Sequence, residues 1–346
     1  MGKLYKKLWI YILAALALCL AVAATGAFFL LAPNVKRNIP DDREWLFVAP
    51  RHTMDDVTAS LERNSVLRSD FTFKMVADWS GSGDLLRPGR YRLLPGMSNY
   101  RILQKLRNGL QEPVRFTFNN IDLPEEFAGI AGKAFHFDSL QMLEAMKDPG
   151  LEDSMTIKPE MLLGHFLPNT YEIYWTISPE KLIARLVSES EKFWTDERNR
   201  KLAERNLTRD QVLIIASIVQ KETNHTDEMS RIAGVYINRL KTGMKLQADP
   251  TVKFAVGQPG LRRIRHEQLV YASPYNTYYT EGLPPGVICA PEPETIDRVL
   301  AYEEHQYLYF CAEPGYNSRH TFAVTGKQHM QNAAKYRAWL RRERIY

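Results

Sequence analysis

The chain has 346 residues, of which 45% are apolar and 25% charged, with a formal net charge of +5. That length holds a membrane anchor and two modest domains, and the composition is that of a globular protein. The mild basic excess has no run of Lys and Arg interleaved with aromatics, which excludes a nucleic-acid-binding class and is compatible with an anionic polymer or lipid surface.

Leu8 to Ala32 carries no charge and exceeds the roughly 20 apolar residues that cross a bilayer. Lys3, Lys6 and Lys7 precede it, which leaves the N-terminus cytoplasmic. The apolar region of a cleaved signal peptide, the rival reading, runs only about 7–15 residues. Leu18 before Cys19 is not the small residue of a lipoprotein cleavage site. The expectation is a single-pass anchor over residues 1–32 in the inner (plasma) membrane, with the rest of the chain outside the cytoplasm. Cys289 and Cys311 then face an oxidising compartment, where they either pair or stay buried thiols.

Residues 33–42 form a polar connector. Trp45 to Val48 reads as a strand, and Thr53 caps a helix to about Asn64 with Val57 and Leu61 on its apolar face. A second amphipathic stretch covers Phe71 to Trp79, followed by a turn at Gly81–Gly83. Pro88 to Leu93 is a turn entering a strand, Ser98 caps a helix that stops at Asn108-Gly109, and Val114 to Phe118 alternates as a strand. The result is a small α+β unit over residues 33–120. From Leu123 to about Asn206 helices dominate: Glu125–Ala131, Ser139–Met146, Pro159–Leu163 and Pro179–Phe193.

Thr208 with Gln211 is a capping-box start. The helix it opens is apolar almost all round, as a buried helix is. At about 100° per residue, Ile215, Ile218 and Glu222 share one flank. Low dielectric and the negative end of the helix dipole both favour the protonated acid there, which suits a general acid. The alternative is a frayed end with Glu222 in water. A second helix starts near Thr226 or Asp227. Its stripe is Met229, Ile232, Ala233, Tyr236, Ile237 and Leu240, with Gly243 at the C′ position. The polar segment Leu246 to Val252 then folds back over Glu222. Ser273 to Gly286 is a loop stiffened by Pro274, Pro284 and Pro285. Tyr307–Cys311 and His320–Val324 are strands joined by a turn at Pro314-Gly315, and a helix from about Thr325 to Arg342 packs Trp339 and Leu340. The eight histidines are scattered, and no H-E-x-x-H, G-x-S-x-G or P-loop pattern occurs in a meaningful context. No metal or other cofactor is called for.

Four peptides occur in order: IVQKET (Ile218–Thr223), INRLKTGMKLQADPTV (Ile237–Val252), SPYNTYYTEGLPPG (Ser273–Gly286) and YLYF…HTF (Tyr307–Phe310, His320–Phe322). Together they resemble the endolytic murein transglycosylases, the MltG-type or YceG-like family, over nearly the whole chain. The resemblance implies an α+β protein with one transmembrane helix (1–32), a LysM-like subdomain (33–120) that grips glycan or acts as a spacer, and a mixed helical and strand catalytic domain (121–346). It implies Glu222 as the catalytic acid, and Gln247, Asp249, Thr251, Asn276, Tyr278 and His320 as substrate-binding residues.

The implied reaction is water-free cleavage of peptidoglycan between N-acetylmuramic acid and N-acetylglucosamine, leaving 1,6-anhydro ends. The implied role is ending nascent strands beside wall synthases. Two-carboxylate glycosidases use water instead. The rivals are a non-catalytic peptidoglycan-binding scaffold and a hydrolytic lysozyme-type enzyme. The aromatic group Phe166, Tyr171, Tyr174 and Trp175 either stacks on sugars or forms core. Three departures from the family pattern stand out: Gln220 for a Glu, Asn169 for an Asp, and Ser318-Arg319 for Gly-Gly. Gln220 points about 160° from Glu222 on the helix, so the chemistry is expected to survive that change.

Overall fold

A computed structural model describes residues 2–150, 155–258, 261 and 263–345. Mixed helices and two-stranded sheets make it an α+β fold, in two compact units. The first comprises Met1–Arg115 with Ala134–His136 and Glu172–Ile177; the second holds Phe116–Lys133, Phe137–Tyr171 and Ser178–Tyr346.

The first unit opens with α1 (Gly2–Leu31), whose span Tyr5–Leu31 is long and apolar enough to cross a membrane and has no buried residue in its most apolar window. Then come β1 (Trp45–Val48), α2 (Met54–Asn64), α3 (Asp70–Trp79), β2 (Gly89–Arg92) and α4 (Asn99–Asn108). Each of α2, α3 and α4 starts where a hydroxyl can accept an otherwise orphaned N–H: Thr53, Ser69 and Ser98 all do so. Strands β1 and β2 run antiparallel, with Leu46 opposite Tyr91. Leu46, Val48 and Tyr91 turn inward onto Val57, Leu61, Phe73, Ile102 and Leu106. The end of α1 is tied to this core by polar groups. Asn99 Nδ2 donates to the Phe29 carbonyl at 2.9 Å, and Asn34 Nδ2 donates to Asn99 Oδ1 at 2.7 Å.

Along the rest of the chain lie β3 (Val114–Phe118), α5 (Pro124–Ala134), α6 (Ser139–Met146), a 3₁₀ turn (Pro159–His165), β4 (Asn169–Ile173), α7 (Pro179–Phe193) and α8 (Asp196–Arg205). They are followed by α9 (Arg209–Glu222), α10 (Thr226–Lys241), α11 (Asp249–Ala255), α12 (His266–Leu269), α13 (Pro293–Leu300), β5 (Tyr309–Ala312), β6 (His320–Ala323) and α14 (Gly326–Arg342). Helix α9 is the hub. Every residue from Val212 to Val219 is buried, and α10, α11, α13 and the 3₁₀ turn pack around it. Ser217, the one polar residue in that run, is satisfied: its Oγ donates to Ile214 O and accepts the Ile288 N–H.

Several elements are not among those named from the sequence. Strand β4 emerges from the GHFLPNTYEIYW stretch, where Tyr171 and Ile173 alternate inward. Helix α8 has one buried residue, Leu202, so it carries no stripe to read. Helix α11 begins inside the expected polar segment, with Pro250 in its first turn, and α13 opens on Pro293 in a stretch for which the sequence suggested no element. Phe166 and Tyr171 belong to the core, Phe166 against Phe127 and Tyr171 stacked on Phe118. Cys289 and Cys311 are both free thiols, Cys289 buried beneath Ser217. Trp339 is half-buried, stacked on Tyr336 rather than enclosed.

Gly234 lets α10 meet the segment that leads into β5. A Cβ there would lie 2.4 Å from the Glu303 carbonyl oxygen and 2.7 Å from His305 Nε2. A mid-helix Gly→Ala change gains about 1 kcal/mol in propensity, but overpacking costs about 1–3 kcal/mol. Because the atom met at 2.4 Å is a backbone carbonyl, the cost falls at about 2–3 kcal/mol, and Gly234→Ala is expected to lose about 1–2 kcal/mol by denaturant unfolding. A variant as stable as the wild type would show that this contact relaxes freely.

Candidate active site

Glu222 is the last residue of α9. The chain turns through Thr223–His225 and returns as α10, which packs against α9 and brings Tyr236 under the acid. The Tyr236 hydroxyl donates to Glu222 Oε1 at 2.5 Å. Tyr236 itself is 1% exposed, so this bond is made away from bulk water. The Glu222 side chain is enclosed by protein except where it borders a cavity of about 360 Å³.

Burial is the dominant influence on this carboxyl. It raises the Glu222 pKa, the Tyr236 hydrogen bond pulls it back, and the nearby Asp249 charge raises it again. The balance is a value of about 7. At neutral pH the acid is then present in both forms, which suits proton donation followed by proton acceptance. Burial and the neighbouring Glu222 hold the Tyr236 phenol well above its ordinary range, so it remains a donor.

Two loops form the polar wall of the cavity, and they are sewn together by backbone and hydroxyl groups. Gln247 N donates to Thr277 O at 3.1 Å and Ala248 N to Thr277 Oγ1 at 2.9 Å. The Thr251 and Thr277 hydroxyls lie 2.8 Å apart, both fully buried. Asn276 holds its own loop: Nδ2 donates to the carbonyls of Leu269 and Tyr271, and Oδ1 accepts the Tyr278 N–H. This places Tyr278 so that its hydroxyl donates to Asp249 Oδ1 at 2.7 Å. Gln247 has φ 47°, a left-handed conformation that turns it into the wall.

Of the residues expected from the sequence, Glu222, Gln247, Asp249, Tyr278 and His320 converge on this cavity. Thr251 and Asn276 do not line it; they are fully buried and hold the loops that do. The expectations missed Arg239, Tyr309 and His329, which also line it. Arg239 is 6% exposed and clamps two walls, donating to Leu246 O and Leu308 O. Its signal was a cation one turn after Tyr236 on a buried helix face. Tyr309 and His329 stack on each other from β5 and α14, a pairing that only the tertiary fold creates. Gln220 faces away from the cavity and binds Ala290 O and the Glu292 N–H, fixing the entry to α13.

These features define an α+β protein whose polar cavity is bordered by a half-buried carboxyl with a pKa raised to about 7. The chain belongs to the YceG-like family, whose model matches residues 46–335. It is 27% identical over 313 residues to a Streptococcus pneumoniae (serotype 2) protein named endolytic murein transglycosylase, covering 82% of this chain and 56% of that one. A Bacillus subtilis (strain 168) protein of the same name is 26% identical over 300 residues, 81% of each chain. The chain thus spans little more than half of the pneumococcal relative. The crystal structure of a yceG-like protein from Listeria monocytogenes superposes with a TM-score of 0.56 at 26% identity, over 83% of this chain and 97% of that one.

A carboxyl whose pKa is higher in the folded state favours folding fully below its unfolded value, and the advantage is lost as pH rises through the folded value. For Glu222 that window runs from the ordinary value of 4.5 to about 7. Glu222→Gln is therefore expected to leave stability nearly unchanged at pH 4.5 and to raise it by on the order of 3 kcal/mol at pH 8. Thermal melts across that range check this; a pH-independent difference contradicts it.

Proposed function

We propose that this protein cleaves peptidoglycan glycan strands by lytic transglycosylation, with Glu222 as both acid and base. The observation that carries this reading is a half-buried Glu222 with a pKa of about 7, bonded to the buried Tyr236 at the edge of a polar cavity. Membership of the YceG-like family and relatives named endolytic murein transglycosylase supply the substrate class.

In the first step, protonated Glu222 gives its proton to the glycosidic oxygen between N-acetylmuramic acid and N-acetylglucosamine. The C1–O bond breaks, and positive charge develops at C1 and the ring oxygen. Glu222, now a carboxylate, takes the proton of the muramyl C6 hydroxyl as that oxygen bonds to C1. A 1,6-anhydro end results, no water is consumed, and Glu222 is again protonated. The Tyr236 hydroxyl and the Arg239 cation both favour the carboxylate form of Glu222, which steadies the state between the two transfers. Gln247, Asp249, Tyr278 and His320 bind the sugars through neutral and charge-assisted hydrogen bonds, while Thr251 and Asn276 keep the binding loops in place.

The same reading gives α1 the role of a single-pass anchor, residues 33–120 that of a LysM-like subdomain that grips glycan or acts as a spacer, and residues 121–346 that of the catalytic domain. It places the enzyme outside the cytoplasm beside wall synthases, where it ends nascent strands.

Intact sacculi incubated with the full-length protein should release muropeptides bearing anhydro ends, one water lighter than their hydrolytic counterparts. Glu222→Gln should release none. Reducing ends would establish a hydrolase instead, and intact sacculi with both proteins a non-catalytic binder.

The rate should carry the same titration. kcat/KM is expected to fall about tenfold per pH unit above pH 7, as Glu222 loses its proton. Tyr236→Phe removes a bond that favours the carboxylate, so this alkaline limb should move to higher pH. A limb that stays put or moves down would contradict the role given to Tyr236.

A further inference from the structure

Behind the wall that carries His320 lies a second acid. Glu228, in the first turn of α10, is 4% exposed. Its Oε1 accepts the His320 backbone N–H at 3.1 Å, and its Oε2 lies 3.1 Å from His320 Nδ1. A helix N-terminus favours negative charge, and the Arg319 guanidinium stands 3.9 Å from Oε1. Arg319 is also bonded to Asp227 at 2.8 Å. A carboxylate only accepts, so Nδ1 must donate. In the neutral ring the lone pair then sits on Nε2. The ring lines the cavity edge-on to Phe310, and no protein partner meets Nε2 among the described residues.

We propose that Glu228 is a positioning residue that holds His320 in its Nδ1–H tautomer, so that Nε2 accepts a hydrogen bond from a sugar hydroxyl of the substrate. This rests on the glycan-cleaving reading above. It gives His320 a definite polarity in a cavity where Arg239 and the Tyr278 hydroxyl are donors. Arg319 contributes as well, because its cation behind Glu228 steadies the carboxylate that fixes the ring. The ordering of a ring nitrogen by a buried carboxylate is a general device for choosing a tautomer.

The test is a double-mutant cycle with one spectroscopic readout. A Gln at position 228 offers a single acceptor oxygen where the wild type uses two, so its amide N–H must face either the His320 N–H or Nδ1. Glu228→Gln is expected to fold and to lower kcat for strand cleavage about tenfold, the size of one neutral hydrogen bond. His320→Ala should lower it at least as much, and adding Glu228→Gln to His320→Ala should cost nothing more. In the full chain labelled with ¹⁵N-histidine, the resonance that disappears in His320→Ala should show a protonated Nδ1 and a bare Nε2.

Wild-type activity in Glu228→Gln overturns the proposal. So does an equal loss in both backgrounds, which would mark a merely structural acid, and so does a proton on Nε2. If Glu228→Gln does not fold, the wild-type tautomer decides alone. If the wild type cleaves no glycan, the functional reading falls, while the tautomer still decides whether Glu228 orders the ring.

Discussion

The site depends on one hydrogen bond made away from water, between the Tyr236 hydroxyl and Glu222 Oε1. Two opposing effects meet there. Enclosure by protein disfavours the charged form of the acid, and a donor aimed at the carboxylate favours it. Without the tyrosine, burial would hold the proton to higher pH; in water, Glu222 would be a carboxylate throughout the neutral range. The pair holds the group where both forms are accessible.

The fold around this bond supplies its geometry. Helix α9 is buried from Val212 to Val219, which anchors its half-buried C-terminal residue, Glu222, at the edge of the cavity. Helix α10 returns against it and carries Tyr236 and Arg239 on adjacent turns, one donor to the acid and one clamp for two walls. The loops at Gln247 and Tyr278 are joined through Thr251, Thr277 and Asn276, so the polar wall is rigid before any ligand arrives. Such preorganisation lets hydrogen-bond donors stabilise charge without first reorienting. The hairpin of β5 and β6 completes the cavity with His320, itself fixed from behind by Glu228.

Much of this was legible in the sequence because it follows from local rules. The Thr208 capping box, the apolar run of α9, the stripe of α10 and the glycine past its end (φ 68° at Gly243) are pattern and cap chemistry. Glu222 stood out as a charge continuing an apolar flank. What stayed hidden needed the tertiary fold. Glu228 reads as an ordinary first-turn acid until β6 lays the His320 N–H against it. Tyr309 and His329 meet only because α14 packs on β5. Thr251 and Asn276 have side chains that suit sugar binding, and nothing local says that their hydrogen bonds are spent inside the protein. The departures at α8 and β4 have the same origin, since one barely has an apolar face and the other is a short strand in an aromatic stretch.

The most direct measurement of the central claim is the protonation of Glu222 itself, read as the infrared difference between the wild type and Glu222→Gln. At pH 6 the difference should contain the carbonyl band of a protonated carboxyl, and by pH 8 that band should be replaced by carboxylate absorption. A carboxylate signal already complete at pH 6 would contradict the account, because Glu222 would then have no proton to give.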